Sequence, residues 1–365
     1  MADLMRPAWA AIDLAALQHN LKVIRKLAGG KRILAILKAN AYGHGLQRIA
    51  QALSDIDAIG VARVDEALQL RNAGITRPIV LLEGFFDASQ IPILTASNIQ
   101  PVIHNLRQMK ELSQVENLGD PLKIWLKVDT GMHRLGLEPD QMLSAYQQLV
   151  DLPQVHDHPV IISHFACADE PEHPQNKKQI QVYADVLAQL PPSATSFANS
   201  AALLAQIVPQ YDWVRPGLAL YGVSPFAGQV GGDHDLKPVM NLRASIISIR
   251  KIKAGESVGY GGQWTATEDT HIGIVAIGYG DGYPRHAPTG TPVLINGVIY
   301  PLIGRVAMDM VTVNLGQKLS VKLGDTAELW GAGLAVEKVA EAVGTIPYEL
   351  LCNVARRVQL DYCER

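Results

Sequence analysis

Between residues 15 and 220 the chain alternates two kinds of apolar segment. Short unbroken runs rich in Ile, Val and Leu are typical of strands that are buried on both faces. These runs fall at residues 33–38, 58–61, 78–82, 100–103, 122–128, 160–164, 196–199 and 213–220. Between the runs, apolar residues recur every three or four positions, which predicts amphipathic helices. The clearest helical segments are 14–27, 64–72, 105–116, 140–150 and 175–189.

This alternation predicts an α/β protein whose main domain is a parallel (β/α)8 barrel, the TIM barrel. A doubly wound open sheet is the competing architecture, and it usually carries a GxGxxG motif after its first strand. Here the first predicted strand runs into KANAYGHG at residues 38–45, which does not contain that motif. The barrel is therefore favoured, and we expect it to occupy residues 15–234.

The pattern changes after about residue 235. Helical periodicity fades, and short strand-like runs stand between glycine-containing turns, which predicts a mainly antiparallel β domain over residues 235–365. One helix is expected at 335–343, and the strand-like segment at 8–12 predicts that residues 1–14 add a strand to this second domain. The predicted strands of the domain are 244–251, 271–277, 292–295, 311–314 and 326–329.

Composition narrows the class of protein. Lys and Arg total 32 and Asp and Glu total 35, a net charge of −3 that lacks the basic footprint of a nucleic-acid binder. No apolar run is long enough for a membrane span, and the start of the chain has no signal-peptide pattern. The three cysteines are far apart, which argues against a disulfide framework. We therefore expect a cytoplasmic protein with no nucleic-acid or membrane partner.

Polar residues collect where the predicted barrel strands end. In a (β/α)8 barrel, the carboxyl ends of the strands carry the chemistry. Lys38 ends an unbroken apolar run, where a lysine either extends its amine to water or forms a Schiff base. Tyr42, Ser200 and the amides of Gly217 and Leu218 could bind a cofactor phosphate. The other polar residues at these ends are Lys127, Arg134, His164, Asn199 and Arg215.

Several segments, in one order along the whole chain, resemble the bacterial alanine racemases. The segment at 36–45 is similar to the family's pyridoxal-phosphate attachment site. Ala307 and Asn314 depart from the family pattern, but neither is a matched site residue. The resemblance implies the same barrel and β domain that the hydrophobic pattern predicts. The other similar segments are 127–136, 163–166, 199–202, 215–222, 258–261, 278–285 and 304–310.

The resemblance implies a two-base racemisation of alanine. Lys38 would hold pyridoxal 5'-phosphate through a Schiff base and then act as the base for D-alanine. The partner subunit's Tyr260 would be the base for L-alanine on the opposite face, so the active form would be a homodimer with shared sites. Proton removal on one face and delivery on the other favours two bases over one that must swing across the adduct.

The resemblance also assigns roles to the remaining site residues. Arg215 would face the pyridine nitrogen with His164 holding it, and Arg134 would bind the phenolic oxygen and the substrate carboxylate. Lys127 matches a position that is often carbamylated in the family. Met308 of the partner subunit would contact the substrate. The phosphate and supporting sets would be Tyr42, Asn199, Ser200, Gly217, Leu218 and Tyr348, with Tyr279 and Asp309 in support.

Other functions stay open at this point. A related barrel enzyme that binds pyridoxal phosphate could be a broad-specificity racemase, or a decarboxylase with a catalytic cysteine. A vitamin-B6 carrier would resemble the barrel alone. A metalloenzyme is disfavoured because the histidines lack HxH and HExxH spacing, so no metal is expected. The residues also leave open whether D-alanine is made for peptidoglycan or consumed in catabolism.

Overall fold

Eight parallel strands close into a barrel in the computed structural model, which describes residues 6–116, 119–207 and 211–364. Strand β1 (Trp9–Asp13) and helix α1 (Leu14–Ala28) precede it. The barrel closes because β2 pairs in parallel with both β3 and β9, which confirms the predicted (β/α)8 fold. The barrel strands are β2 (Arg32–Ile36), β3 (Ala58–Val61), β4 (Ile79–Leu81), β5 (Ile99–Ile103), β6 (Trp125–Lys127), β7 (Val160–Ile162), β8 (Thr195–Asn199) and β9 (Trp213–Arg215).

The barrel helices follow from capping and periodicity. Asp13 accepts a hydrogen bond from the amide of Ala16 and so starts α1, which ends where Gly29 takes the left-handed conformation with φ 58°. Leu17 and Leu21 lie on the buried face of α1. The remaining helices of this region are α2 (Lys38–Tyr42), α3 (Leu46–Ala52), α4 (Val64–Asn72), α5 (Ile91–Ala96), α6 (Leu106–Ser113), α7 (Met142–Val150), α8 (Pro174–Leu187) and α9 (Ser200–Leu204).

Several predicted strands are too long. The run at 33–38 ends as a strand at Ile36, and Lys38 already begins α2. The run at 213–220 contains β9 and then a 3₁₀ helix over Leu218–Tyr221. All four residues of that 3₁₀ helix are buried. An apolar run therefore marks burial, and it continues into loops that pack against the barrel.

The C-terminal region forms an eight-stranded, mainly antiparallel sheet, as predicted. Its strand order is β13-β16-β15-β14-β17-β10-β1-β18, and β11 and β12 form a separate hairpin. Strand β1 pairs antiparallel with β10 and parallel with β18. The division into residues 1–14, 15–234 and 235–365 stays a prediction. The elements are β10 (Met240–Ile252), β11 (Ser257–Val258), β12 (Trp264–Thr265), β13 (Thr270–Val275), β14 (Pro292–Ile295), β15 (Val298–Ile303), β16 (Val311–Gly316), β17 (Thr326–Trp330), α10 (Val336–Val343), α11 (Pro347–Cys352) and β18 (Gln359–Cys363).

Within the described ranges, no helix is both long and apolar enough to cross a membrane.

Candidate active site

A cavity of about 460 Å³ opens at the carboxyl ends of the barrel strands. Lys127, Asn199 and Arg215 are the last residues of β6, β8 and β9, and parallel strands bring their ends to one rim. Residues of α2 and α11 complete the lining. The predicted site residues that line the cavity are Lys38, Tyr42, Lys127, Arg134, His164, Asn199, Ser200, Arg215, Gly217, Leu218 and Tyr348.

Lys38 stands at the start of a left-handed turn. Residues 39–42 all have φ between 52° and 54°, although none of them is glycine. Each such residue costs about 1–2 kcal/mol relative to ordinary backbone, so contacts from outside the turn must hold it. The amide of Ala39 donates to Oε1 of Glu66 at 2.7 Å, and the amide of Leu46 donates to Oδ1 of Asn40 at 2.9 Å.

Hydroxyl and amide groups form a cradle beside this turn. The amide of Gly217 donates to Oγ of Ser200 at 2.9 Å. A side chain at Gly217 would fill the cradle, because its Cβ would lie 2.5 Å from Oη of Tyr42. The rings of Tyr42 and Tyr348 lie 6.0 Å apart. Burial raises the pKa of Tyr348 to about 12 and that of Tyr42 further still, so both hydroxyls remain donors at neutral pH.

Arg215 is buried and almost fully hydrogen-bonded. Its Nη1 donates to Oγ of Ser196 at 2.8 Å, and its Nη2 donates to the carbonyl oxygen of Ser163 at 2.5 Å and to Nδ1 of His164 at 3.0 Å. No described residue accepts a hydrogen bond from Nε, so that N–H is free for a ligand. Burial lowers the pKa of Arg215 to about 10, which leaves the guanidinium charged at neutral pH.

His164 is neutral beside this cation. Burial, followed by the charges of Arg215 and Lys127, holds the pKa of His164 well below 6.5. The imidazole can therefore accept the Arg215 hydrogen bond at Nδ1 without competing for the proton. Gln179 fixes the loop that carries His164, because its Nε2 donates to the His164 carbonyl oxygen at 3.0 Å and to Oγ1 of Thr130 at 3.1 Å.

The cavity carries an excess of positive charge. Burial, then the charges of Arg215 and Arg134, lowers the pKa of Lys127 to about 8. Among the residues that the structure describes, the charged ends of Lys38, Lys127 and Arg134 have no hydrogen-bond acceptor. Glu83 is the carboxylate that lines this space. Lys127 and Arg215 are buried, whereas Lys38 is half-buried and Arg134 is exposed. A buried cation needs a counter-charge, so the arrangement favours an anionic ligand.

The remaining predicted site residues lie outside the cavity, on the C-terminal domain. Tyr260 is 72% exposed and Met308 is 55% exposed. Backbone hydrogen bonds join the loops of Tyr279 and Met308, since the Gly280 amide donates to the Met308 carbonyl oxygen at 2.8 Å. Asp309 forms an ion pair with Arg357 at 2.8 Å. Their own chain therefore leaves most of the Tyr260 side chain and more than half of the Met308 side chain uncovered.

Among the lining residues to which the sequence analysis gave no site role, Glu83 and Cys352 carry titratable side chains. Glu83 lies just after strand β4, so the rule of strand ends would have found it. Cys352 follows Tyr348 by four positions on α11, a spacing that places both side chains on one helix face. No group of three His, Cys, Asp or Glu side chains within the described ranges is placed to hold a metal ion.

Comparison with known proteins identifies the family. The family model of the alanine racemase N-terminal domain matches residues 12–225, and that of the C-terminal domain matches residues 239–362. The alanine racemase of Aeromonas hydrophila is 50% identical over 358 residues, which cover 98% of this chain and 100% of that protein. The biosynthetic alanine racemase of Escherichia coli is 47% identical over 361 residues, covering 99% and 100%.

Solved structures that resemble this chain are alanine racemases too. The crystal structure of biosynthetic alanine racemase from Pseudomonas aeruginosa superposes with a TM-score of 0.94 at 43% identity, covering 98% of this chain and 100% of that one. The alanine racemase of Bartonella henselae, crystallised with covalently bound pyridoxal phosphate, has a TM-score of 0.88 at 32% identity, with coverage of 98% and 100%.

Proposed function

The chain belongs to the alanine racemase family, and we propose that it interconverts L-alanine and D-alanine with Lys38 and Tyr260 as bases on opposite faces of a pyridoxal 5'-phosphate adduct. The observation that carries the proposal is the convergence of Lys38, Arg215 and the Gly217 cradle on one positively charged cavity at the mouth of the barrel. A lysine amine, a phosphate cradle and a ring-binding cation are the groups that this cofactor requires.

The residues fit pyridoxal phosphate group by group. Lys38 would hold the cofactor, because its primary amine is the kind of group that condenses with an aldehyde. The hydroxyls of Tyr42, Ser200 and Tyr348 and the amides of Gly217 and Leu218 suit its phosphate, with Asn199 alongside. The unpartnered Nε of Arg215 suits the ring nitrogen, and the guanidinium of Arg134 suits the phenolic oxygen. When bound, the cofactor withdraws electrons from Cα of alanine and so lowers the cost of removing its proton.

Lys38 and Tyr260 would divide the proton transfers. Nζ of Lys38 takes and returns the Cα proton on the D-alanine side, and Oη of Tyr260 from the partner subunit does so on the L-alanine side. Arg215 keeps its own proton and donates a hydrogen bond, so it does not protonate the ring nitrogen. An unprotonated ring nitrogen would withdraw fewer electrons from Cα of alanine. Negative charge at Cα would therefore be short-lived, and side reactions would be suppressed.

Lys127 is proposed to carry a carbamate. Carbon dioxide adds to a neutral amine, and a pKa of about 8 leaves a useful neutral fraction near pH 7 to 8. The carbamate oxygens would give Arg134 the acceptor that the described residues do not supply. Arg134 would then be fixed for the phenolic oxygen of the cofactor and the carboxylate of alanine.

The proposed homodimer supplies the second base. Tyr260 and Met308 are exposed and lie outside the cavity of their own chain, which is the arrangement expected if each completes a neighbouring site. Tyr279 and Asp309 would support the Met308 loop. The cytoplasmic location, and the choice between peptidoglycan precursor supply and catabolism, stay predictions from the sequence.

Mixing two inactive variants tests this function. Lys38→Ala and Tyr260→Phe are purified separately and then unfolded and refolded together. A mixed dimer contains one site with both native bases, so random pairing should restore about one quarter of the wild-type racemase activity. Refolding each variant alone is the control and should restore none. No activity in the mixture, with mixed dimers present by mass spectrometry, would contradict the shared site.

A further inference from the structure

The strained turn after Lys38 is held by a buried histidine that has no part in the proposed chemistry. We propose that His44 is a positioning residue: its imidazole clamps the left-handed turn of residues 39–42 and thereby aims Lys38 and Tyr42 into the cavity. This inference rests on the proposed function, because the turn matters only if Lys38 holds the cofactor.

The hydrogen bonds of His44 converge on that turn. Nδ1 lies 3.1 Å from the carbonyl oxygen of Ala41 and 2.8 Å from that of Tyr42. Both partners are acceptors, so Nδ1 must carry the hydrogen and donate to both. These two carbonyl groups belong to residues with positive φ, so the imidazole contacts the strained part of the chain.

His44 is itself fixed on every side. It is fully buried, its ring stacks on Tyr221 with centroids 4.5 Å apart, and its carbonyl oxygen accepts a hydrogen bond from Oη of Tyr362 at 3.0 Å. Its glycine neighbours are required here: a Cβ at Gly43 would lie 2.1 Å from the Leu351 carbonyl oxygen, and one at Gly45 would lie 1.8 Å from Oη of Tyr362. The clamp therefore has little room to move.

The clamp connects to the cavity through aromatic contacts. The ring of Tyr221 stacks on His44 and lies tilted against the ring of Tyr42, with centroids 4.8 Å apart in the second pair. Oη of Tyr221 also donates to the carbonyl oxygen of Ile36, at the end of β2. Lys38 lies between that strand end and the clamped carbonyls. Releasing the clamp would let the turn relax and displace both Lys38 and Tyr42.

Nε2 of His44 supports this role. It is a buried nitrogen with no hydrogen-bond partner among the described residues, so the imidazole sits there at a net cost. An apolar residue of similar volume would avoid that cost. The donor at Nδ1 is thus the feature that the site requires.

The test compares two nearly isosteric substitutions. His44→Asn keeps an N–H close to the position of Nδ1, whereas His44→Leu removes it. Each apoprotein is titrated with pyridoxal phosphate, and binding is followed by the absorbance of the bound cofactor. We expect His44→Leu to weaken binding at least about tenfold and to shift the absorbance band, and His44→Asn to stay within about threefold of wild type. Equal affinities in the two variants would overturn the proposal.

Controls separate positioning from general destabilisation and from failure of the proposed function. Circular dichroism and thermal melts check that both variants fold; a role in stability alone would lower Tm and leave the cofactor affinity unchanged.

If wild type itself fails to bind the cofactor, or if Lys38→Ala retains the same absorbance band, the proposed function fails instead. Should His44→Leu not fold, His44→Met takes its place as the variant without the donor, and a cofactor affinity equal to that of His44→Asn would overturn the clamp.

Discussion

Nη2 of Arg215 lies 3.0 Å from Nδ1 of His164 at the mouth of the barrel, where Arg215 is buried and His164 is half-buried. The pair has one charge rather than two, because the pKa of His164 is held well below 6.5 by burial and by the cation beside it. A neutral acceptor next to a permanent donor fixes the guanidinium plane while leaving Nε available to a ligand.

Arg215→Lys should cost both stability and activity. An ammonium group cannot reach the oxygen atoms of Ser196, Ser163 and Phe197 together, so buried acceptors lose their donor. We expect a loss of about 3 kcal/mol in the free energy of unfolding, measured in urea, and at least about a hundredfold loss in kcat. Arg107→Lys, at an exposed site, is the control and should change stability by less than about 0.5 kcal/mol. Full activity in Arg215→Lys would contradict the proposal that the Arg215 guanidinium group is required for activity.

His164 should not titrate across the working pH range. Because its pKa lies well below 6.5, the kcat profile of wild type should show no inflection from this imidazole between pH 6 and 8. His164→Asn keeps an acceptor for Nη2 of Arg215 and should retain most activity, whereas His164→Leu should lose about tenfold or more. Equal kcat values for the two variants would show that the acceptor is dispensable.

Carbamylation of Lys127 predicts a carbon dioxide requirement. Protein equilibrated with ¹³C-labelled bicarbonate near pH 8 should show a carbamate carbon signal in NMR spectra, and Lys127→Met should lack it. Thorough removal of carbon dioxide should lower wild-type activity and leave the residual activity of Lys127→Met unchanged. A wild-type spectrum without the signal would leave Lys127 as a plain amine with a pKa of about 8.

Arg357 should affect substrate binding more than chemistry. It pairs with Asp281 at 2.7 Å and with Asp309 at 2.8 Å, and so ties together the loops that carry Tyr279 and Met308. We expect Arg357→Met to raise KM for alanine about fivefold or more while kcat falls less. Lys251→Met, at an exposed site on strand β10, is the comparison. A loss confined to kcat would point to a different role.

Protonation of buried histidine should destabilise the fold in mild acid. Burial lowers the pKa of His44 to about 4, against 6.5 in the unfolded chain, so the unfolded state binds the extra proton first. The contribution of His44 to stability is complete above pH 6.5 and is lost as the pH falls towards 4. Between pH 7 and 5 the loss is about 2 kcal/mol in urea unfolding. The free energy of unfolding of His44→Asn should fall by correspondingly less over the same pH range. An identical pH dependence in the variant and in wild type would refute the attribution of this loss to His44.

The hydrophobic pattern predicted the architecture well because burial on both faces of barrel strands leaves an unbroken apolar run. The pattern placed several strand ends too late along the chain, because the loops that pack against the barrel are as apolar as the strands. The helices α3, α5, α9 and α11 have five to seven residues, too short for a helical period to stand out. Strand β18 is half-buried and lacks a clear alternation.

The sequence predicted the cavity residues that lie at or just after the ends of strands, such as Arg215 and Lys38. It did not predict the backbone geometry that places these side chains relative to one another. Asn40 is the one residue of 39–42 whose type favours left-handed backbone, and a single asparagine does not predict four such residues, because alanine and tyrosine rarely adopt it. That conformation depends on side chains distant in sequence, such as Glu66 and Tyr362, and distant contacts leave no local signal.

Strand β1 precedes the barrel along the chain, yet its partners β10 and β18 both follow the barrel. A nascent chain that has completed only its barrel therefore exposes a free strand with unpaired backbone groups. Such edges template aggregation. Fragments truncated after β9 should consequently precipitate on expression, whereas removing β1 together with the C-terminal sheet should yield a better-behaved barrel.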